Sequence, residues 1–121
     1  MTADRDRGQA AVEFAIALPL VVMLVLGVIH VTVVVRDQLA IELAARDGAR
    51  SAAVSASPAA AAASAAESAT SLRPIRTSTV VGSDSVTVTV RHTTRGRMPL
   101  LGLVLPDIEL VASVTMAREP P

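Results

Sequence analysis

The chain has 121 residues, no cysteine, and eleven basic against eleven acidic residues, so its formal net charge is zero. That length holds one compact module, the charge balance gives no support for nucleic acid or a polybasic membrane surface as main partner, and the missing thiols exclude disulfides, zinc-thiolate sites and cysteine nucleophiles. Phe14 is the single aromatic residue, which argues against stacking of bases or sugars on aromatic rings.

The first predicted element follows a short polar segment that carries Asp4, Arg5, Asp6 and Arg7. From Phe14 to Val35, 22 residues carry no formal charge when His30 is neutral. As a helix they span roughly 33 Å, about the thickness of the hydrocarbon layer, so the direct reading is one transmembrane helix. A secretory signal has an apolar core of roughly 7 to 15 residues with a small-residue cleavage site after it. Here the run instead continues through Val33, Val34 and Val35 to Arg36 and Asp37. A chain this short cannot cover a wholly buried soluble helix on all sides. Pro19 removes the amide that would bond the carbonyl of Ala15 and is expected to bend the helix, either as an ordinary transmembrane proline or to shape a packing surface, two readings of equal weight. Gly27 stands without a G-x-x-x-G frame, and His30 lies near the outer end with no second ionisable residue in the span to share a proton. Arg5 and Arg7 precede the helix while Arg36, Arg46 and Arg50 follow it, so charge alone does not orient it. A short amino-terminal flank inside and a folded carboxy-terminal part outside the cytoplasm is the working topology.

Glu13 places a carboxylate at the mouth of this run. First-turn amides and the helix dipole favour a carboxylate near a helix start, which is the simpler reading. The sharper one includes Gly8. If the chain were cut after it, Gln9 would carry a new positive amino terminus and Glu13 would be the fifth residue of the mature chain. In a bundle of parallel copies, that carboxylate would neutralise the terminus of a neighbour and set the axial stagger, a device that has a purpose only in an assembly.

The stretch Arg7-Gly8-Gln9-Ala10-Ala11-Val12-Glu13-Phe14, followed by Ala17-Leu18-Pro19-Leu20, resembles the amino-terminal motif of TadE-like proteins, the pseudopilins of the tight-adherence (Flp) pilus system. "LAARDGARSAA", Leu43 to Ala53, is similar to that family's segment after the membrane helix, and "MPLLGLVLP" and "VASVTMARE" are similar to its looser tail. The resemblance implies a single-pass protein of the bacterial cytoplasmic membrane whose leader is removed by a prepilin peptidase. It would act with other pilins or pseudopilins and with pilus platform proteins. Carried over, Gly8 ends the leader, Gln9 begins the mature chain, Glu13 matches the pilin glutamate and Phe14 takes the aromatic position after it. Gln9 departs from the methylated aromatic start of many type IV pilins, and Asp4 and Asp6 reduce the basic character of the leader.

Beyond Arg36 the spacing of Leu39, Ile41, Glu42, Leu43 and Arg46 continues a helix to about Ala53, with Glu42 and Arg46 set for an i, i+4 ion pair. Ser57-Pro58 supplies an N-cap and a first-turn proline for an Ala-rich second helix over Ala59 to Ala69. Past Arg73-Pro74, "IRTSTVV" and "SVTVTVR" flank Gly82-Ser83-Asp84, and Val86, Val88 and Val90 alternate with Thr87, Thr89 and Arg91, the period of a half-buried strand in a hairpin. A third strand is predicted with Ile108, Leu110, Ala112, Val114 and Met116 on one face. Leu100, Leu101, Leu103, Val104 and Leu105 between these strands read as core in preference to a contact patch.

The expected fold class is α+β: a leader over residues 1–8, a transmembrane helix with an outward extension over 9–56, and an extracytoplasmic helix with a small antiparallel sheet of about three strands over 57–121. No Walker loop, G-x-S-x-G elbow, H-E-x-x-H or paired-His spacing occurs, so no catalytic, cofactor or metal residues are assigned and no small-molecule substrate is expected. Arg91, Arg95 and Arg97 form a basic cluster around His92 in the sequence, read as a solvated loop. The leading expectation is a non-enzymatic pseudopilin, in contact with membrane lipid. Two rivals are a single-pass membrane protein whose outer domain binds an envelope component or ligand, and a small membrane-anchored enzyme.

Overall fold

The computed structural model describes residues 2–95 and 106–119, and the fold is α+β as expected. Two helices, α1 (Thr2–Ala53) and α2 (Pro58–Ala69), precede three strands, β1 (Ile75–Val81), β2 (Ser85–Thr94) and β3 (Ile108–Ala117). The chain divides into two compact units, Met1–Val33 and Val34–Pro121, and α1 contributes to both.

The first unit is helix alone. Its apolar side chains, among them Val12, Ile16, Leu20, Leu24 and Val31, are exposed, and the helix is long and apolar enough to cross a membrane. Pro19 lies within α1.

In the second unit, the rest of α1 and all of α2 pack with one face of the sheet. The strands run in the order β1-β2-β3, antiparallel throughout, with Thr77↔Val90 and Val90↔Ala112 in register. On β2, Val86, Val88 and Val90 are fully buried and the threonines between them are half-exposed, as their alternation predicts. Leu110 and Ala112 continue the core on β3, with Val114 and Met116 packed at its margin, while Ile108 is exposed. The helical side of the core is almost entirely alanine: Ala44, Ala45, Ala49 and Ala52 from α1, Ala62 and Ala66 from α2, with Ile41 the one large hydrophobic side chain fully buried there among the described residues. Such small residues let helix backbone approach the sheet closely. At Gly48 the approach is tightest, because a Cβ there would lie 3.1 Å from Val88 Cγ1 and 3.2 Å from the Ala62 carbonyl.

Local details depart from the sequence reading in three places. Ser57 holds the N-cap position of α2 and Pro58 its first turn, yet the Ser57 hydroxyl makes no capping bond. Its carbonyl accepts from the Ala61 amide at 3.1 Å, and its amide donates to Ser55 Oγ at 3.0 Å. The Glu42–Arg46 ion pair does not form among the described residues. Glu42 instead accepts a hydrogen bond from Gln38 Nε2, 3.3 Å away, and that amide also reaches the Val111 carbonyl at 3.2 Å, a long-range contact that holds the side chain toward Glu42. Third, Arg91 does not share a face of the sheet with His92. Successive strand residues point to opposite faces, so His92 is buried with the valines while Arg91 stands on the exposed face. Arg97 and the stretch from Leu100 to Leu105 lie outside the described residues.

The far end of α2 is closed by a side chain that the sequence reading used only as a boundary. Arg73 donates to the carbonyls of Glu67 (3.0 Å) and Thr70 (2.9 Å), acceptors that a helix C-terminus leaves open, and to that of Leu72 (2.7 Å) just beyond the helix.

Candidate assembly site at the start of the apolar helix

The residues from Gly8 to Phe14 lie on two consecutive turns of α1, in the first unit. Alanine-rich sequence here favours helix, and Gly8 is the exception, since glycine in a helix interior costs about 1 kcal/mol relative to alanine. Packing gives no reason for it. A Cβ at Gly8 would meet nothing within 4 Å, in contrast to Gly48.

One turn along, Gln9 and Glu13 come together. Gln9 Nε2 donates to Glu13 Oε1 at 3.3 Å, an exposed contact between residues four apart. Among the described residues the ion pairs are Arg36–Asp37 and Arg91–Glu109, so Glu13 has no cationic partner there. It precedes Phe14, a residue 67% exposed, at the point where polar sequence gives way to apolar. Helix geometry thus places Gln9 with Glu13; Gly8 and Phe14 adjoin them in the chain.

His30 is half-buried in the same unit. In the second unit His92 is 7% exposed, and its Nδ1 lies 2.9 Å from the Pro74 carbonyl. A carbonyl only accepts, so Nδ1 carries the proton and the imidazole fastens β2 to the chain entering β1. Asp37 is also buried there, with Arg36 Nε 4.0 Å away. On the exposed face of the sheet, Arg91 donates to Glu109 at 3.1 Å, and both line a small recess with Pro74, Arg76 and Thr93. Beside this pair, Thr87 and Thr115 share a hydrogen bond of 2.8 Å, and Thr89 and Ser113 one of 3.1 Å. No group of three or more His, Asp or Glu side chains able to hold a metal ion occurs among the described residues.

Sequence reasoning singled out Gly8, Glu13 and Phe14 but not the Gln9–Glu13 contact, which the i, i+4 spacing signals. The burial of His92 was equally readable by counting two residues beyond Val90.

Comparison with known families selects the same stretch. Residues 8–50 match the model of the TadE-like protein family. The TadE-like match begins at Gly8 and ends at Arg50, so it takes in the apolar run and most of the rest of α1. It stops before α2 and the sheet, and so does not extend to the tail segments in which the sequence reading saw a looser likeness. No curated protein and no solved structure matches the chain. The TadE-like match and the membrane-length helix together support a membrane-anchored protein related to tight-adherence pili.

Proposed function

We propose that this chain is a non-enzymatic pseudopilin that takes part in the assembly or anchoring of a tight-adherence (Flp) pilus. The observation that carries the reading is Glu13: an exposed carboxylate at the mouth of a membrane-length helix, five residues after a glycine that packing does not require, within the segment that matches the TadE-like family. A prepilin peptidase would cut after Gly8 and leave Gln9 as the first residue. The mature helix would remain in the cytoplasmic membrane with Val34–Pro121 on the outer side, beside other pilins or pseudopilins and platform proteins.

The chemistry follows from the low dielectric of the setting. A carboxylate drawn into lipid is costly unless it meets a donor, and parallel copies offer the amino-terminal nitrogen of a neighbour. Pairing there fixes the stagger of one helix against the next, while the apolar side chains from Val12 to Val35 face lipid or other helices. Pro19, by bending the helix, would shape that surface.

The test is Glu13→Gln in the native host, with surface pili counted by microscopy and the protein level followed in membranes. Loss of pili at an unchanged protein level supports the pseudopilin. Normal piliation favours a single-pass protein whose outer domain binds an envelope component, a reading to which the Arg76, Arg91 and Glu109 recess gives some chemistry.

A further inference from the structure

We propose that Gln9, once it is the first residue, closes on itself to pyroglutamate, with Glu13 moving the proton. The inference rests on the reading above that the chain is cut after Gly8. Cleavage turns the Gln9 amide into a free amine on the same residue as the side-chain carboxamide. In the ring closure the amine nitrogen bonds to Cδ, the Cδ–Nε2 bond breaks, and Nε2 leaves as ammonia. No oxidant, reductant or co-reactant is required, and the five-membered ring forms from groups already tethered together.

What the structure adds is the position of Glu13. Oε1 already holds Nε2, the leaving nitrogen, at 3.3 Å. A terminal ammonium must lose a proton before it can attack, and the departing nitrogen must gain one. A carboxylate one turn along the helix reaches toward the amino-terminal end, as helical side chains do, and serves both transfers. The positive charge leaves with the ammonium ion. The product is a neutral lactam whose N–H still donates, so the contact that Glu13 makes with a neighbouring terminus becomes a charge-assisted hydrogen bond in place of an ion pair. Methylation of the terminus, which needs a free amine, is then blocked.

The experiment is a pulse-chase in the native host, with rapid extraction of membranes and mass measurement of the amino-terminal peptide from the wild-type chain and from Glu13→Gln. The expected wild-type peptide starts at Gln9, is lighter by one ammonia, and resists stepwise degradation until treated with pyroglutamyl aminopeptidase. In Glu13→Gln the ammonia should be lost about tenfold more slowly, a small share of what a fully positioned acid-base group provides. Glu13→Asp, which keeps a carboxylate on a shorter arm, gives an intermediate rate and serves as the comparison if the Gln variant escapes cleavage. A start at Gln9 with a free or methylated amine overturns the cyclisation and leaves the pseudopilin reading intact. A start at Met1 or Thr2 overturns both. Equal rates in wild type and variant overturn the role of Glu13.

Discussion

Gly8 and Gly48 stand on the same helix, yet a methyl group at Gly8 would meet nothing within 4 Å, and one at Gly48 would press on Val88 Cγ1 and on the backbone of α2. The same contrast runs through the two units. In the first, valines and leucines are exposed around the helix; in the second, Ile41 and the alanines are withdrawn from solvent against the sheet. Exposing a large aliphatic side chain to water forgoes about 1.5 to 3 kcal/mol, so the first unit needs lipid or neighbouring helices while the second supplies its own partner. One helix therefore serves two environments. In the first unit, residue identity is free of packing within the chain and, under the proposed function, open to selection for processing and assembly, whereas from Val34 onward the buried positions of the helix are set by the sheet.

The sharpest way to break this comparison is Gly48→Val. A branched side chain cannot fit where even a Cβ is within 3.2 Å of a backbone carbonyl. The expected loss is about 3 kcal/mol, the upper part of the overpacking range. Thermal melting of the full chain in detergent, followed by proteolysis of the second unit, would check it. If the melt shifts by no more than a surface substitution does, the close approach of α1 to β2 is not what holds this unit together.

Arg73→Ala should have a smaller effect. It removes two hydrogen bonds to the carbonyl end of α2 and one to the Leu72 carbonyl just beyond it, but the side chain is exposed and water replaces part of what is lost. About 1 kcal/mol is expected, with amide exchange speeding up at the last turn of α2 before the rest of the unit. Uniform acceleration across the unit would mean that Arg73 does more than close that helix.

The sheet was readable because its signal is chemical as well as periodic. Val86, Val88 and Val90 differ from Thr87 and Thr89 in exactly the property that separates the two faces, and the burial follows the letters. On α1 beyond Val34 the letters mislead: Leu39 and Leu43 are exposed, while the buried stripe runs Asp37, Ile41, Ala44, Ala45, Gly48, Ala49 and Ala52. Its helical spacing is regular, but alanine inside a stripe looks the same as alanine outside it, so the contact face was hidden by small residues. His92 was misplaced for another reason. Its arginine neighbours suggested a solvated loop, although strand parity already put it with the valines. Around the candidate assembly site the sequence identified the candidate residues, since a lone carboxylate before 22 uncharged residues is conspicuous, and the helix brings the Gln9 amide to that carboxylate.

Gly8→Ala is the smallest perturbation of structure and sharpens the comparison from the other side. With open space around the position, the added methyl creates no clash, and the gain in helix propensity of about 1 kcal/mol lies in a stretch of α1 that the second unit does not need for its folding. The melting of Val34–Pro121 should therefore be unchanged. Processing should respond quite differently. A peptidase must bring its catalytic groups against the backbone at the bond it cuts, and the absence of a side chain at Gly8 leaves that backbone open. Under the proposed function the variant accumulates at full length in the membrane, and Gln9 never becomes a terminus, so no ammonia is lost from it. Cleavage that proceeds at the wild-type rate would show that the glycine is there for neither packing nor processing, and would remove the reason for placing the mature chain's start at Gln9.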